Sequence, residues 1–279
     1  MFRGIQTLIL AAGIVLLSAC SLPLMQDDAT SPPDQGPFQI PWLSVSAEQA
    51  ITLDSAYRQQ RTAVLKALDG RAPGGFKAGL TSTAGQQRFN VREPVAGVLW
   101  PKAGMVFDGD KAVIQRSGFR KPMLELELAF RINTLIPEPL ADVSEVQFVV
   151  SEVMPALEIP DLGFDSEVGM TGEAIVAANV GARAYLLGRG LSPENVDINA
   201  VRAHLSHDGK RVLRGDATQV MGNQWKALFW LINTLVEQGW VIQPGQVLLT
   251  GAMGEMLPLE AGLYEAHFSE LGHLRLQVN

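Results

Sequence analysis

Lys121-Pro-Met-Leu-Glu125-Leu-Glu127-Leu-Ala-Phe130 alternates leucines with two carboxylates. A β-strand sends side chains i and i+2 to one face. Glu125 and Glu127 then project together, while Leu124, Leu126 and Leu128 turn the other way into a core. Two like charges at that distance repel, and burying them unpaired is costly. A third carboxylate has a similar setting downstream, in Met154-Pro-Ala-Leu-Glu158-Ile-Pro-Asp161. Three carboxylates on apolar strands suit a hard divalent cation, which takes oxygen ligands. Solvent-facing alternation on an antiparallel edge strand gives the same pattern, so spacing alone leaves both readings open.

The N-terminus sets the compartment. Arg3 is followed by an apolar run from Ile5 to Leu17 and then by Leu17-Ser18-Ala19-Cys20. The run is too short and wrongly flanked for a permanent span. The pattern resembles a bacterial lipoprotein signal peptide over 1–19, cleaved before Cys20 and lipid-modified on that thiol. Cys20 is the only cysteine of the 279 residues, which excludes an intramolecular disulfide. Ser21 behind it implies the outer membrane, facing the periplasm. Residues 20–45, rich in Pro, Asp, Ser and Gly, read as a flexible lipid-anchored tether, and 46–279 as one large domain. A formal charge of −7 with no basic cluster argues against nucleic acid. Membrane contact is expected through the lipid alone.

Within the domain, Ser46 to Leu68 has helical spacing, with Ser46 and Glu48 near its start. Phe76 to Ser82 reads as a short strand running into a turn. Strands dominate from Ala112 to about Phe148, and Val146 to Ala156 is expected to be a helix. Ala184 to Gly188 reads as a strand, and Val201 to Val212 as a hairpin turning at Asp208-Gly209. Asn223 to Gln238 is a helix with an apolar stripe that includes Trp225 and Phe229, which with Trp230 read as core. Val247 to Gly251 is a buried strand, and Gly262 to Val278 holds two more. The balance is α+β, a large mixed sheet or open barrel with a few helices.

Taken in order, Phe76-Lys77-Ala-Gly-Leu-Thr-Ser82, Glu93-Pro94 with Gly97, the Glu125 and Glu158 stretches, Ala178-Asn179, Leu187-Gly188, Trp230-Leu-Ile-Asn233, Leu249-Thr250-Gly251 and Leu271-Gly272 span the domain. This series resembles the 2-keto-4-pentenoate hydratase group of the fumarylacetoacetate hydrolase superfamily. The resemblance implies a fumarylacetoacetase-C-terminal-like mixed β-barrel or sheet with flanking helices. It implies a divalent metal, Mg2+ with Mn2+ as an alternative, held by Glu125, Glu127 and Glu158. It further implies Lys77 as the catalytic cation, and Leu80, Thr81, Ser82 and Asn179 around a small 2-oxo or 2-hydroxydienoic acid. A homo-oligomer is compatible with it.

Three stretches depart from the pattern. Val95 stands where an Asp of the acid/base machinery is usual, Thr83 where a Lys is usual, and Val180-Gly181 where Asn179 is commonly followed by Ala-Ser. The expected activity is a metal-dependent hydro-lyase of aromatic catabolism. The alternatives are a catalytically degenerate binding or scaffold protein of the same fold, and a 2-oxo acid decarboxylase or tautomerase. The hydrolytic branch relies on a His beside a carboxylate, whereas the four histidines all lie late in the chain. His204 and His207, three apart on a strand, fall on opposite faces and read as surface residues. Gly188-Arg-Gly190 lacks the strand–helix setting of a nucleotide site.

Overall fold

The computed structural model describes Met1 and residues 39–46, 52–101, 103, 106–108, 111–167 and 169–279. The signal peptide, Cys20 and most of the tether expected from the sequence lie outside the described residues. The elements run β1 (Ser44–Val45), α1 (Leu53–Leu68), β2 (Gly75–Gly79), α2 (Thr83–Arg88), β3 (Val95–Leu99), β4 (Val106–Asp108), β5 (Lys111–Ile114) and β6 (Met123–Ile132). They continue with β7 (Val150–Ile159), β8 (Asp165–Ser166), α3 (Gly172–Ala177), β9 (Ala184–Leu187), β10 (Arg202–His207) and β11 (Lys210–Asp216). The chain closes with α4 (Gln224–Glu237), β12 (Val247–Leu249), β13 (Leu257–Pro258), β14 (Gly262–Phe268) and β15 (Gly272–Val278).

Two large sheets carry the fold. One runs β3-β2-β12-β6-β7-β9, with β13 also paired to β6; the other runs β11-β10-β14-β15-β5-β4. Both are mixed, because β12 is parallel to β2 and β15 is parallel to β5. β6 is an interior strand between β12 and β7, so the edge-strand reading of its carboxylates does not hold. Its leucines do what the alternation implies: Leu124, Leu126, Leu128 and Phe130 are fully buried. That face shares one core with Ala56, Val64 and Leu68 of α1 and with Leu228, Leu231 and Ile232 of α4. Phe130 meets Trp225 at 6.1 Å between ring centroids, and Phe76 meets Trp240 at 5.6 Å.

Local signals set several boundaries. Asn223 caps α4 by accepting from the Lys226 N–H, and Asp208-Gly209 turns the β10–β11 hairpin with both residues at positive φ. Two expectations need correction. The helix expected over Val146 to Ala156 is a short 3₁₀ turn, Val143–Phe148, followed by strand β7. β-Branched residues such as Val149, Val150 and Val153 favour extended chain, and pairing with β6 over eight positions decides the outcome. The start of the first helix also shifts: Thr52, in a reciprocal capping box with Ser55, caps α1, and residues 47–51 lie outside the described ones.

The packed chain also begins before Ser46. Ser44 and Val45 pair in parallel with Asp165 and Ser166, and Trp42 lies between the guanidinium groups of Arg120 and Arg183, at 4.2 and 4.0 Å. Among the described residues, no helix is long and apolar enough to cross a membrane.

Candidate metal centre

Register brings the carboxylates together. In the antiparallel β6–β7 pair, Glu125 lies opposite Glu158 and Glu127 opposite Ala156. Paired residues share a face, so all three side chains project from the side of β6 away from the leucines. A ligand oxygen from each of the three lies within 4.8 Å of the others. Glu127 and Glu158 are wholly buried, and Glu125 is partly so.

Lys77 reaches the same face through two further strands. It pairs with Leu249 on β12, which pairs with Ala129 on β6, two residues along from Glu127. Its ammonium is buried, donates to Glu158 Oε1, and donates to the Val180 carbonyl at 3.2 Å. The Gly251 N–H donates to Glu127 Oε2 at 2.9 Å. Gly251 must be glycine here: its φ is 109°, and a Cβ would stand 2.6 Å from Thr81 Oγ1. Thr81 is thereby set against the backbone that holds Glu127. Once these bonds are made, Glu127 Oε1 and Glu158 Oε2 are buried with no hydrogen-bond partner.

The electrostatics follow from burial. Desolvation, with the Glu158 charge behind it, pushes Glu125 from 4.5 up to about 8. Desolvation, and then Glu158 and Glu125, push Glu127 well above the carboxylate range. Burial works to lower Lys77, but Glu158, Glu125 and Glu127 together outweigh it and hold the ammonium above its ordinary value. Three carboxylates against one ammonium leave an anionic, oxygen-only donor set. Such a set can hold a hard divalent cation.

The remaining expected residues are placed around this cluster in different ways. Leu80 sits at φ 52° and its carbonyl accepts from Gln86 Nε2 at 3.0 Å. The Ser82 hydroxyl is engaged as the cap of α2, accepting from the Gly85 N–H at 3.1 Å. Asn179 is buried, and its carboxamide exchanges both hydrogen bonds with the backbone of Val98, at 2.7 and 2.8 Å. Asn179 thus acts as an extra rung on β3. Asn179, Val180 and Gly181 are all left-handed, at φ 58°, 53° and 65°, an unfavourable conformation for a β-branched residue. This turn aims the Val180 carbonyl at Lys77.

Sequence reasoning missed Val180, because a residue acting through its carbonyl leaves no side-chain signal. Its side chain also closes the space over β2 and β3: a Cβ on Gly79 would meet Val180 Cγ1 at 2.6 Å, and one on Gly97 would meet Val180 Cβ at 3.0 Å. Val95 lies opposite Gly79 on this face and is fully buried. The wall next to Lys77 is therefore apolar at the position where the hydratase pattern has Asp. Thr83 is exposed on α2. Beneath the carboxylates, Leu99, Met154, Leu187, Val247 and Leu249 form a second, smaller apolar cluster. Asp161, just past Glu158, accepts three backbone N–H groups, from Arg120, Lys121 and Gly163, at 2.7 to 2.8 Å. It ties the end of β7 to the approach of β6 and so fixes where Glu125 and Glu158 meet.

No protein-family model matches the chain. The chain is 30% identical over 220 residues to a 2-keto-4-pentenoate hydratase of Paraburkholderia phymatum, covering 78% of this chain and 82% of that one. It is 28% identical over 243 residues to the enzyme of the same name in Paraburkholderia xenovorans, covering 86% and 87%. Among solved structures, 4-oxalocrotonate decarboxylase from Pseudomonas putida G7, complexed with magnesium and adipate, superposes with a TM-score of 0.74 at 24% identity, over 82% of this chain and 86% of that one. The mixed sheet and flanking helices are thus the fumarylacetoacetase-like fold expected from the sequence, and the chain belongs to the 2-keto-4-pentenoate hydratase family.

Proposed function

We propose that the chain is a metal-dependent lyase of the hydratase type. Its substrate is a small 2-oxo or 2-hydroxydienoic acid, and Glu125, Glu127 and Glu158 hold a divalent ion of the Mg2+ or Mn2+ class. One observation carries the reading: Glu127 Oε1 and Glu158 Oε2 are buried without a partner inside an all-carboxylate cluster. Unsatisfied buried anions are strongly unfavourable, and a cation resolves all of them at once. When bound, the metal supplies Lewis-acid polarisation of the substrate's 2-oxygen.

The chain's own residues do the rest. An ammonium has three donors. Lys77 gives two of them to Glu158 and Val180, which leaves one for a substrate carboxylate or for proton transfer. Because the surrounding carboxylates raise its pKa, Lys77 acts protonated. A proton delivered to the distal carbon of a 2-hydroxydienoate, with loss of the 2-hydroxyl proton, gives a 2-oxo-3-enoate. Water then adds hydroxide at C4 and a proton at C3. The Gly251 N–H keeps Glu127 oriented. The Val95, Gly79, Gly97 and Val180 wall keeps water off that side of Lys77 and offers no proton.

That wall supports a second reading. Val95 removes the acid/base group that hydration is expected to use on water, whereas decarboxylation or tautomerisation through the same enolate activates no water and needs only a proton carrier such as Lys77. A binding or scaffold protein of this fold needs neither. The test is Mg2+-dependent loss of dienoate absorbance, with product analysis, in the wild type and in Glu127→Gln. A hydrated product lost in the variant supports the hydratase, and a decarboxylated or isomerised product transfers the assignment. Ligand binding without turnover across a panel of such acids leaves the binding protein.

The envelope location belongs to the same proposal. It rests on Leu17-Ser18-Ala19-Cys20. Metabolic labelling with a fatty acid should mark the wild type and not Cys20→Ser. An unlabelled wild type removes the anchor.

A further inference from the structure

The second sheet carries a polar cluster that the proposed reaction does not use. His204 pairs with His267 across β10 and β14, and His267 pairs with His273 across β14 and β15. The three imidazoles therefore stand in one row on one face of three neighbouring strands. Their ring centroids are 5.0 Å apart for His204 and His267, which are stacked, and 5.9 Å for His267 and His273. His267 and His273 are exposed and His204 is half-buried. Among the described residues, none of the three makes a hydrogen bond or ion pair.

His207 shows what an occupied histidine looks like in this chain. It faces the other way from His204, stacks on Tyr264 at 4.3 Å and bonds the Ala261 carbonyl at 3.0 Å. The chain has only four histidines, and register puts the other three on adjacent rungs. Chance placement on a surface does not favour that, and neither does packing, since the row faces solvent.

We propose that His204, His267 and His273 form a second metal site, specific for a borderline transition-metal ion such as Zn2+, Ni2+ or Cu2+. Imidazole suits these ions, as carboxylate suits Mg2+ and Mn2+. Paired residues on adjacent antiparallel strands have Cβ atoms about 5 Å apart, which lets neighbouring imidazoles converge on one ion. The rings are stacked or tilted rather than converged, so binding requires rotation about χ1 and χ2 to bring their nitrogens together on the open side of the sheet. Arg214 continues the row beyond His204. Burial, with Arg211, His267 and Arg214 adding to it, lowers the His204 pKa and favours the neutral, ligating form. Glu265, two residues from His267 on the same face, is engaged by Arg275 at 3.3 Å, which leaves the imidazoles as the donors of the row.

The test titrates the full chain with Cu2+, with excess Mg2+ present to occupy the carboxylate cluster, and follows electron paramagnetic resonance. The expected result is a bound Cu2+ spectrum with nitrogen superhyperfine splitting. His267→Gln should weaken binding at least about tenfold and reduce the nitrogen couplings, His204→Gln should do so as well, and His207→Gln should leave both unchanged. His204 and His267 stand on the open face of the sheet, and circular dichroism of each variant, His207→Gln included, checks the fold. Three results overturn the site: no nitrogen-coupled Cu2+ in the wild type, wild-type binding in His267→Gln, or binding lost only in Cys20→Ser.

Discussion

The leucine face and the carboxylate face of β6 are built from alternate residues of one ten-residue strand, yet opposite physics governs them. Leu124, Leu126 and Leu128 are buried against helices and gain from leaving water. Glu125, Glu127 and Glu158 lose by the same burial, and two of their oxygens gain no partner in return. One face stabilises the strand, and the other draws on that stability to keep three carboxyl groups in a dry site. The difference teaches where function sits: on the face that would destabilise the fold without an ion.

Changes to each face should separate these roles. The largest effect belongs to Leu126→Ala, which should lower unfolding free energy by about 2–5 kcal/mol through a core cavity. Urea denaturation measures the loss, while Mn2+ affinity of the folded variant should stay near wild type. A collapse of metal affinity without loss of stability would break the division between faces.

Next is the pH dependence of the metal-free protein. The folded state holds the Glu125 proton up to about 8, whereas an ordinary glutamate gives it up near 4.5. Between those values the folded state binds more protons, so stability falls as pH rises through the window, on the order of a few kcal/mol. The Lys77 shift lies above this range and does not offset it. Thermal melts from pH 5 to 8 with chelator should show the decline, and Mg2+ should flatten it. A flat metal-free profile would mean the carboxylates are not confined.

Gly251→Ala should cost roughly 1–3 kcal/mol, because φ 109° and the Thr81 contact at 2.6 Å both oppose a Cβ. Metal affinity should fall with it, since the N–H on Glu127 is displaced. Calorimetric unfolding and a Mn2+ titration read the two effects together. The smallest change is expected from Glu127→Gln without metal. Burial keeps the Glu127 carboxyl protonated there, and the amide copies that neutral form and keeps an acceptor for Gly251, so the melting temperature should change by less than the equivalent of about 1 kcal/mol. A larger fall would show that Glu127 stabilises the metal-free fold through more than its neutral form.

The carboxylate face was legible because its signal is local: two glutamates at i and i+2 among leucines declare a shared face. The hairpin at Asp208-Gly209 and the Asn223-capped helix were legible for the same reason. What escaped depends on partners distant in sequence. β7 looked helical over Val146 to Ala156 because its pairing with β6 cannot be seen in its own residues. His204 was weighed against His207, its neighbour in sequence, when register sets it beside His267. Val180 and Gly251 serve the site through a carbonyl and an N–H, which no side chain announces. Val95, read as a departure, is indeed apolar and buried beside the site.

The central claim is that Glu125, Glu127 and Glu158 form one divalent-metal site. Calorimetric titration of Mn2+ into chelator-treated wild type and Glu127→Gln, at pH 7.5 with His267→Gln in both backgrounds to silence the histidine row, tests it most directly. The account predicts a single saturable site in the first protein that is lost in the second. No binding in the first protein, or equal binding in the two, would contradict it.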